Sequence, residues 1–174
     1  PHRRGGEARP LIDDVRFAKI ALACGVPLAQ VPSLHAALTF SREALTTARE
    51  AAKKLSLATP DAMSVLALGS VGRMEASAAS DLDLAVLYDP TQTTRGRAEQ
   101  MRAELVDGLG AHFDIPQKTF RAAIDMHDLL HNVGGQRDTN TRLTYRALIL
   151  TESAWLYNQA ACDGLRREIF DVYA

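Results

Sequence analysis

Residues 66–89 read LALGSVGRMEASAASDLDLAVLYD. An apolar run ends in Gly69-Ser70, small residues follow, and Asp81-Leu82-Asp83 opens a second apolar run. In an extended strand alternate side chains share a face, so Asp81 and Asp83 point one way while Leu82, Leu84 and Val86 point into a core. Two carboxylates so close repel each other unless a cation lies between them or water screens them. Oxygen-only ligands favour Mg²⁺ or Mn²⁺ over zinc, and such an ion keeps substrate phosphates in its shell. A strand, a small-residue turn and two carboxylates on the next strand therefore predict a site for a metal-bound nucleoside triphosphate.

The remaining residues of the stretch fit that site. Gly69 lets the backbone approach a phosphate closely, and Ser70 offers an amide and a hydroxyl as donors. Arg73, one short helical step on, can stabilise charge developing on a transferring phosphoryl group. Glu75 and Ser80 are expected behind these, Glu75 pairing with Arg73 or a backbone amide and Ser80 orienting Asp81. Taken singly, each feature has a plain explanation: a turn, a solvated strand end, a surface ion pair of little worth. In this order, with an apolar strand on each side, they point to one site.

Around this stretch the chain divides into a leader over 1–10, a helical region over 11–58, a core over 59–125 and C-terminal helices over 126–174. PHRRGGEARP reads as a flexible basic leader. Leu11, Val15, Ala18 and Leu22 share a helix face, with Gly25 and Pro27 as its stop. A longer helix follows, with Ser33 as N-cap. Its seam of Leu34, Leu38, Ser41, Leu45, Ala48, Ala52 and Leu55 packs on another helix within the chain or across a homodimer.

In the core, Thr59-Pro60-Asp61 breaks the helix. Strands are expected at 64–69 and 81–88, with a short helix at 72–76 between them and Asp89-Pro90 as a closing turn. Ala98, Met101, Leu105 and Leu109 mark an amphipathic helix ended by Gly108 or Gly110. His112 to Ile115 reads as a third strand stopped by Pro116. Gly134-Gly135 is a loop, and Asp138 or Thr139 caps the next helix. Leu148, Trp155, Cys162 and Ile169 then repeat every seven residues, with a possible break at Asn158-Gln159.

GSVGRMEASAASDLDL resembles the core motif of the DNA polymerase β-like nucleotidyltransferase superfamily. It is most similar to bacterial domains whose motif runs Gly-[Ser/Gly]-x-Gly-Arg-x-Glu and then Ser/Thr-Asp-x-Asp. Those include the uridylyltransferase that modifies the PII signalling protein, and nucleotidyltransferase domains attached to CBS-pair and cyclic-nucleotide-binding-like domains. Gly69, Ser70, Gly72, Arg73, Glu75, Ser80, Asp81 and Asp83 carry the match. DTNTRLTYRALILTES, from Asp138 to Ser153, is similar to the helix after the catalytic sheet in that group. The resemblance implies an α+β nucleotidyltransferase fold, a small mixed sheet flanked by helices with helical additions at both ends. It implies transfer of a nucleoside monophosphate to a hydroxyl, with Mg²⁺ or Mn²⁺ and a bacterial signalling role. It also implies regulatory domains, expected outside these 174 residues.

Superfamily members often carry a third acidic residue on a later strand, where it completes a metal site and helps deprotonate the acceptor. Asp114, on the expected third strand, is the candidate catalytic and metal-binding residue; Asp138 is the runner-up. The acceptor stays open among a protein hydroxyl, a small-molecule hydroxyl and an RNA end, with the near-neutral charge weighing against nucleic acid. The alternative is a non-catalytic nucleotide-sensing or interaction module of the same fold. His127 and His131 sit four apart as in a zinc helix, but Asp128 stands where HExxH has Glu, and a solvated helix face is the simpler reading.

Composition sets the outer limits. The chain has 174 residues, 47% of them hydrophobic and 6% aromatic, enough to bury a core made largely of Ala and Leu. Lys plus Arg number 20 and Asp plus Glu 21, giving a net charge of -1 and no global attraction for nucleic acid or an anionic membrane. No apolar run approaches the ~20 residues of a membrane span. Cys24 and Cys162 match no metal or redox motif, which reads as two buried or half-buried thiols of a cytoplasmic protein.

Overall fold

The computed structural model describes residues 14–27, 30–56, 62–116, 120–131 and 133–174, without the side chains of 14–17, 55 and 56. The leader, Leu11, the Val15 and Leu55 side chains, and the break at Thr59-Pro60-Asp61 lie outside the described residues. Among them the fold is a mixed α+β arrangement of four strands and seven helices. In chain order these are α1 (Asp14–Ala23), α2 (Pro32–Ser56), β1 (Met63–Leu68), α3 (Gly69–Gly72), β2 (Asp83–Tyr88), α4 (Arg95–Gly110), β3 (Ile124–Asp125), α5 (Met126–Leu130), α6 (Asn140–Glu152), β4 (Ala154–Tyr157) and α7 (Gln159–Tyr173).

The strands lie in the order β3-β2-β1-β4. β1 runs antiparallel to both β2 and β4, and β2 runs parallel to β3. Strand alternation divides the core in two. Val65, Ala67, Leu84 and Val86 face Leu38, Leu45, Ala48 and Ala52 of α2 and Ala98, Met101, Leu105 and Leu109 of α4. Leu66, Leu68, Ala85 and Leu87 face Leu129 of α5, Ile149 of α6 and Cys162, Leu165 and Ile169 of α7. Both faces of β1 and β2 are therefore covered, which is why these strands read as apolar runs. Each fully buried Leu or Val here contributes about 1.5–3 kcal/mol.

Several sequence expectations change. Pro32 occupies the first helical position of α2, where its missing N–H costs nothing, so Ser33 lies inside the first turn rather than at the N-cap. Leu34 is exposed, while Leu38, Ser41, Leu45, Ala48 and Ala52 are buried within this chain. The seam thus packs internally: Arg49 lays its guanidinium 3.8 Å from the Trp155 ring centroid and donates to the Trp155 carbonyl at 3.0 Å. The short helix is α3, over 69–72 rather than 72–76. It begins directly after β1 and stops because Met74, at φ 67, turns left-handed.

No strand forms at 112–115. That segment makes one ladder-like bond, Leu82 N–H to the Asp114 carbonyl at 2.8 Å, and Pro116 then removes a donor. The third strand is instead Ile124–Asp125, paired with Leu87 and Tyr88. The seven-residue spacing toward the C-terminus also misleads, because α6 stops at Ser153, whose backbone is extended. β4 follows and pairs with β1. Asn158, left-handed at φ 52, then caps α7 by accepting the Ala161 amide. Thr139, not Asp138, caps α6 by accepting the Arg142 amide. Cys24 is exposed rather than buried, and Cys162 is buried. No helix among the described residues is long and apolar enough to cross a membrane.

Candidate active site

The antiparallel register sets Leu68 opposite Asp83, so the chain leaves β1 beside the point where it enters β2. Gly69 makes the exit with φ +62, a conformation that suits glycine. A β-carbon there would stand 2.7 Å from Asp83 Oδ2. The turn is therefore fitted to the carboxylate, and any side chain at 69 would displace it. Ser70 follows, half-buried at the start of α3.

The chain then folds back on itself. Arg73 N–H donates to the Gly69 carbonyl at 2.9 Å, Met74 N–H to Val71 at 3.2 Å and Glu75 N–H to Ser70 at 2.8 Å. This reversal brings Glu75 to Arg73, whose Nε donates to Glu75 Oε2 at 2.8 Å. The loop beyond is anchored from α2, where the fully buried Ser41 hydroxyl accepts the Ala76 amide at 2.9 Å. Ser80 closes a turn with Ser77: its hydroxyl accepts the Ser77 amide at 3.0 Å and its N–H donates to the Ser77 carbonyl at 2.9 Å. Ser80 thus shapes the backbone that leads into Asp81.

Asp81 precedes β2 and is exposed, while Asp83 is its first residue and half-buried. Burial pushes the Asp83 carboxyl above its ordinary range, and the negative charges of Asp81 and Glu152 add to this while Arg73 opposes it. The pair is thus a concentration of negative charge that a cation would relieve. Two carboxylates with oxygen donors only, beside a glycine turn, fit Mg²⁺ or Mn²⁺ completed by phosphate oxygens. Among the described residues no group of three His, Cys, Asp or Glu side chains is arranged to hold a metal ion.

Asp114 is brought near through its backbone, by the bond from Leu82. Its side chain is exposed, and it is not among the charges that shift Asp83. Asp138 is elsewhere. Its Oδ2 meets Arg146 Nη2 at 2.6 Å and the Gly134 amide at 3.0 Å, beyond the start of α6. Glu152 and the site lie at the other end of that helix, roughly 20 Å away at 1.5 Å per residue. The His127 and His131 rings stack with centroids 3.8 Å apart and planes 11° apart. Ring-nitrogen lone pairs lie in the ring planes, so this stacking does not converge them on one ion.

One site residue escaped the sequence reading. Glu152 ends α6 and accepts from Arg73 Nη1 at 2.6 Å. It lies inside the DTNTRLTYRALILTES segment, but nothing local marks it, because its partner is 79 residues away.

A β-hairpin carrying a Gly-Ser turn and an Asp pair, on a mixed sheet between helices, defines a nucleotidyltransferase-like domain. Residues 16–119 match the family described as "Putative nucleotidyltransferase DUF294", and the chain belongs to that family. The match includes every site residue named above except Glu152. No curated protein matches the chain closely.

Proposed function

We propose that the protein transfers a nucleoside monophosphate from a nucleoside triphosphate to a hydroxyl acceptor, releasing pyrophosphate. The observation that carries this reading is the close fit of Gly69 against Asp83, where the lack of a side chain lets the turn lie directly against the carboxylate. Asp81 and Asp83 would hold the Mg²⁺ or Mn²⁺, which supplies charge neutralisation for the phosphates. Ser70 donates to phosphate oxygens through its amide and hydroxyl, and Arg73 offsets the charge that grows as the phosphoryl group transfers. The acceptor oxygen forms a bond to the α-phosphorus while the bridging bond to the β-phosphate breaks. The hydroxyl proton passes to a carboxylate, for which Asp114, joined to Leu82 through its backbone, is the candidate. Glu75 keeps Arg73 in register and Ser80 fixes the approach to Asp81.

A second reading has its own support. The exposed Asp114 carboxyl, which is not among the charges that shift Asp83, suits a module that binds nucleotide without turning it over. Thermal unfolding with ATP, GTP, CTP and UTP, with and without Mg²⁺, tests binding; release of pyrophosphate in the presence of a cell extract tests turnover. A Mg²⁺-dependent shift lost in Asp81→Asn, together with pyrophosphate release, supports the transferase. The shift without release supports the sensing module. No shift with any nucleotide defeats both readings.

A further inference from the structure

Arg73 is gripped from two directions. Glu75 takes its Nε from within the same turn, and Glu152 takes its Nη1 from the end of α6. Nη2 is engaged by neither ion pair. The Arg73 side chain is 37% exposed and that of Glu152 25%, so the pair is partly open to solvent and adds little stability by itself. Docking of α3 on α6 does not need it. Gly72 already sets its backbone against the Glu152 carbonyl, in a space where a β-carbon would collide. What the second carboxylate adds is direction: a planar fork held on Nε and Nη1 cannot swing about its own stem.

We propose that Glu152 is a positioning residue for Arg73, fixing the guanidinium so that its remaining donors face the phosphates of a bound nucleotide. The inference rests on the nucleotide-transfer reading for what Arg73 meets, though not for how Arg73 is held. It makes the segment beyond the family match a working part of the site. Removal of a partner that orients a ligand-contacting group typically weakens function by roughly tenfold or more.

The test uses the full chain and four variants: Glu152→Gln, Glu152→Asp, Arg73→Met and the Arg73→Met/Glu152→Gln double variant. Nitrogen-15 NMR of arginine side chains, without ligand, reads the order of the Arg73 guanidinium. Calorimetry with each Mg²⁺–nucleoside triphosphate reads affinity. Glu152→Gln is expected to loosen Arg73 and weaken nucleotide binding roughly tenfold, with little change in melting temperature. Glu152→Asp keeps part of both effects. In the Arg73→Met background Glu152→Gln then costs nothing more. Unchanged Arg73 order in Glu152→Gln overturns the proposal, as does an equal loss of affinity with and without Arg73. If the wild type binds no nucleotide, the transferase and sensing readings fail together. The NMR result alone then decides the role of Glu152: lost order supports it and retained order overturns it.

Discussion

Gly72 and Glu152 share a space that admits no side chain between them. A β-carbon on Gly72 would overlap the Glu152 carbonyl oxygen and stand 2.9 Å from the Ala67 carbonyl. Both obstacles are backbone, so α3 could accept a side chain only by moving off α6. Gly72→Ala is expected to destabilise the fold by about 1–3 kcal/mol, the usual cost of overpacking. It should also reduce nucleotide-dependent stabilisation by pulling Arg73 from Glu152. Urea unfolding with and without Mg²⁺–nucleotide checks both; a variant as stable as wild type contradicts the contact.

Gly69→Ala adds a different penalty. The left-handed backbone at φ +62 costs a non-glycine residue about 1–2 kcal/mol. The new methyl also meets Asp83 Oδ2 rather than a backbone atom, and a carboxylate can rotate away. The expected outcome is a modest loss of stability with a large loss of Mg²⁺-dependent nucleotide binding. Equal losses in both would place the effect on the fold alone.

Asp83→Asn should stabilise the free protein. The folded state holds the Asp83 proton more tightly than the ordinary value of 3.8, so the ionised carboxylate is a liability above that range. The penalty is full at neutral pH. It is relieved as pH falls through the raised folded value, and it is gone below 3.8. Relative to wild type, Asp83→Asn should melt higher at pH 7, with the gap closing as the pH drops. Stabilisation by Mg²⁺–nucleotide should vanish in the same variant. A lower melting temperature at pH 7 would show that the carboxylate supports the fold.

Arg146 is fully buried, bonded to Asp138, to the Leu129 carbonyl at 3.2 Å and to the Tyr173 hydroxyl at 2.6 Å. It joins α5, α6 and α7 from the middle of α6. Arg146→Met leaves the Asp138 carboxylate without its counter-charge and the Leu129 carbonyl and Tyr173 hydroxyl without this donor, and is expected to lower the melting temperature. Asp138 is held below the ordinary carboxylate range by the Gly134 amide and by Arg146. The stability it lends is present above 3.8 and is lost as pH falls through the lowered folded value. Acid unfolding of Arg146→Met should lose the part of that component that Arg146 supplies and keep the part due to the Gly134 amide.

The two thiols give a simple check on burial. Cys24 is exposed, while burial pushes the Cys162 thiol up to about 12. Iodoacetamide at pH 8 should modify Cys24 alone in the native protein and both thiols in urea. Rapid native labelling at Cys162 would mean that α7 does not pack on the sheet as described.

What the sequence made legible was what local order encodes. Gly69 and Ser70 close an apolar run, Asp81 and Asp83 open another, and the hairpin between them followed from those residues. The pairing of Glu75 with Arg73 was within reach because they are two residues apart. Other features depend on distant partners. Ile124–Asp125 is two residues long and is a strand only because Leu87 and Tyr88 lie beside it. Ala154–Tyr157 falls on a helical spacing, and its alternation becomes meaningful only against β1. His112–Ile115 has the composition of a strand but lacks a ladder. Glu152 carries no local mark, since its role exists only once α6 has been laid against α3.

The pairing of β4 with β1 also bears on the order in which the protein is completed. A ribosome finishes the turn at Gly69 and the acids at 81 and 83 long before it reaches Glu152 or Trp155. Until Ala154–Tyr157 emerge, β1 presents a bare edge on the side that β4 will cover, open to a strand from any neighbouring nascent chain. The motif is therefore translated early and enclosed late. Premature termination anywhere between the two would yield a chain that carries the motif yet exposes a sticky edge, a natural client for chaperones.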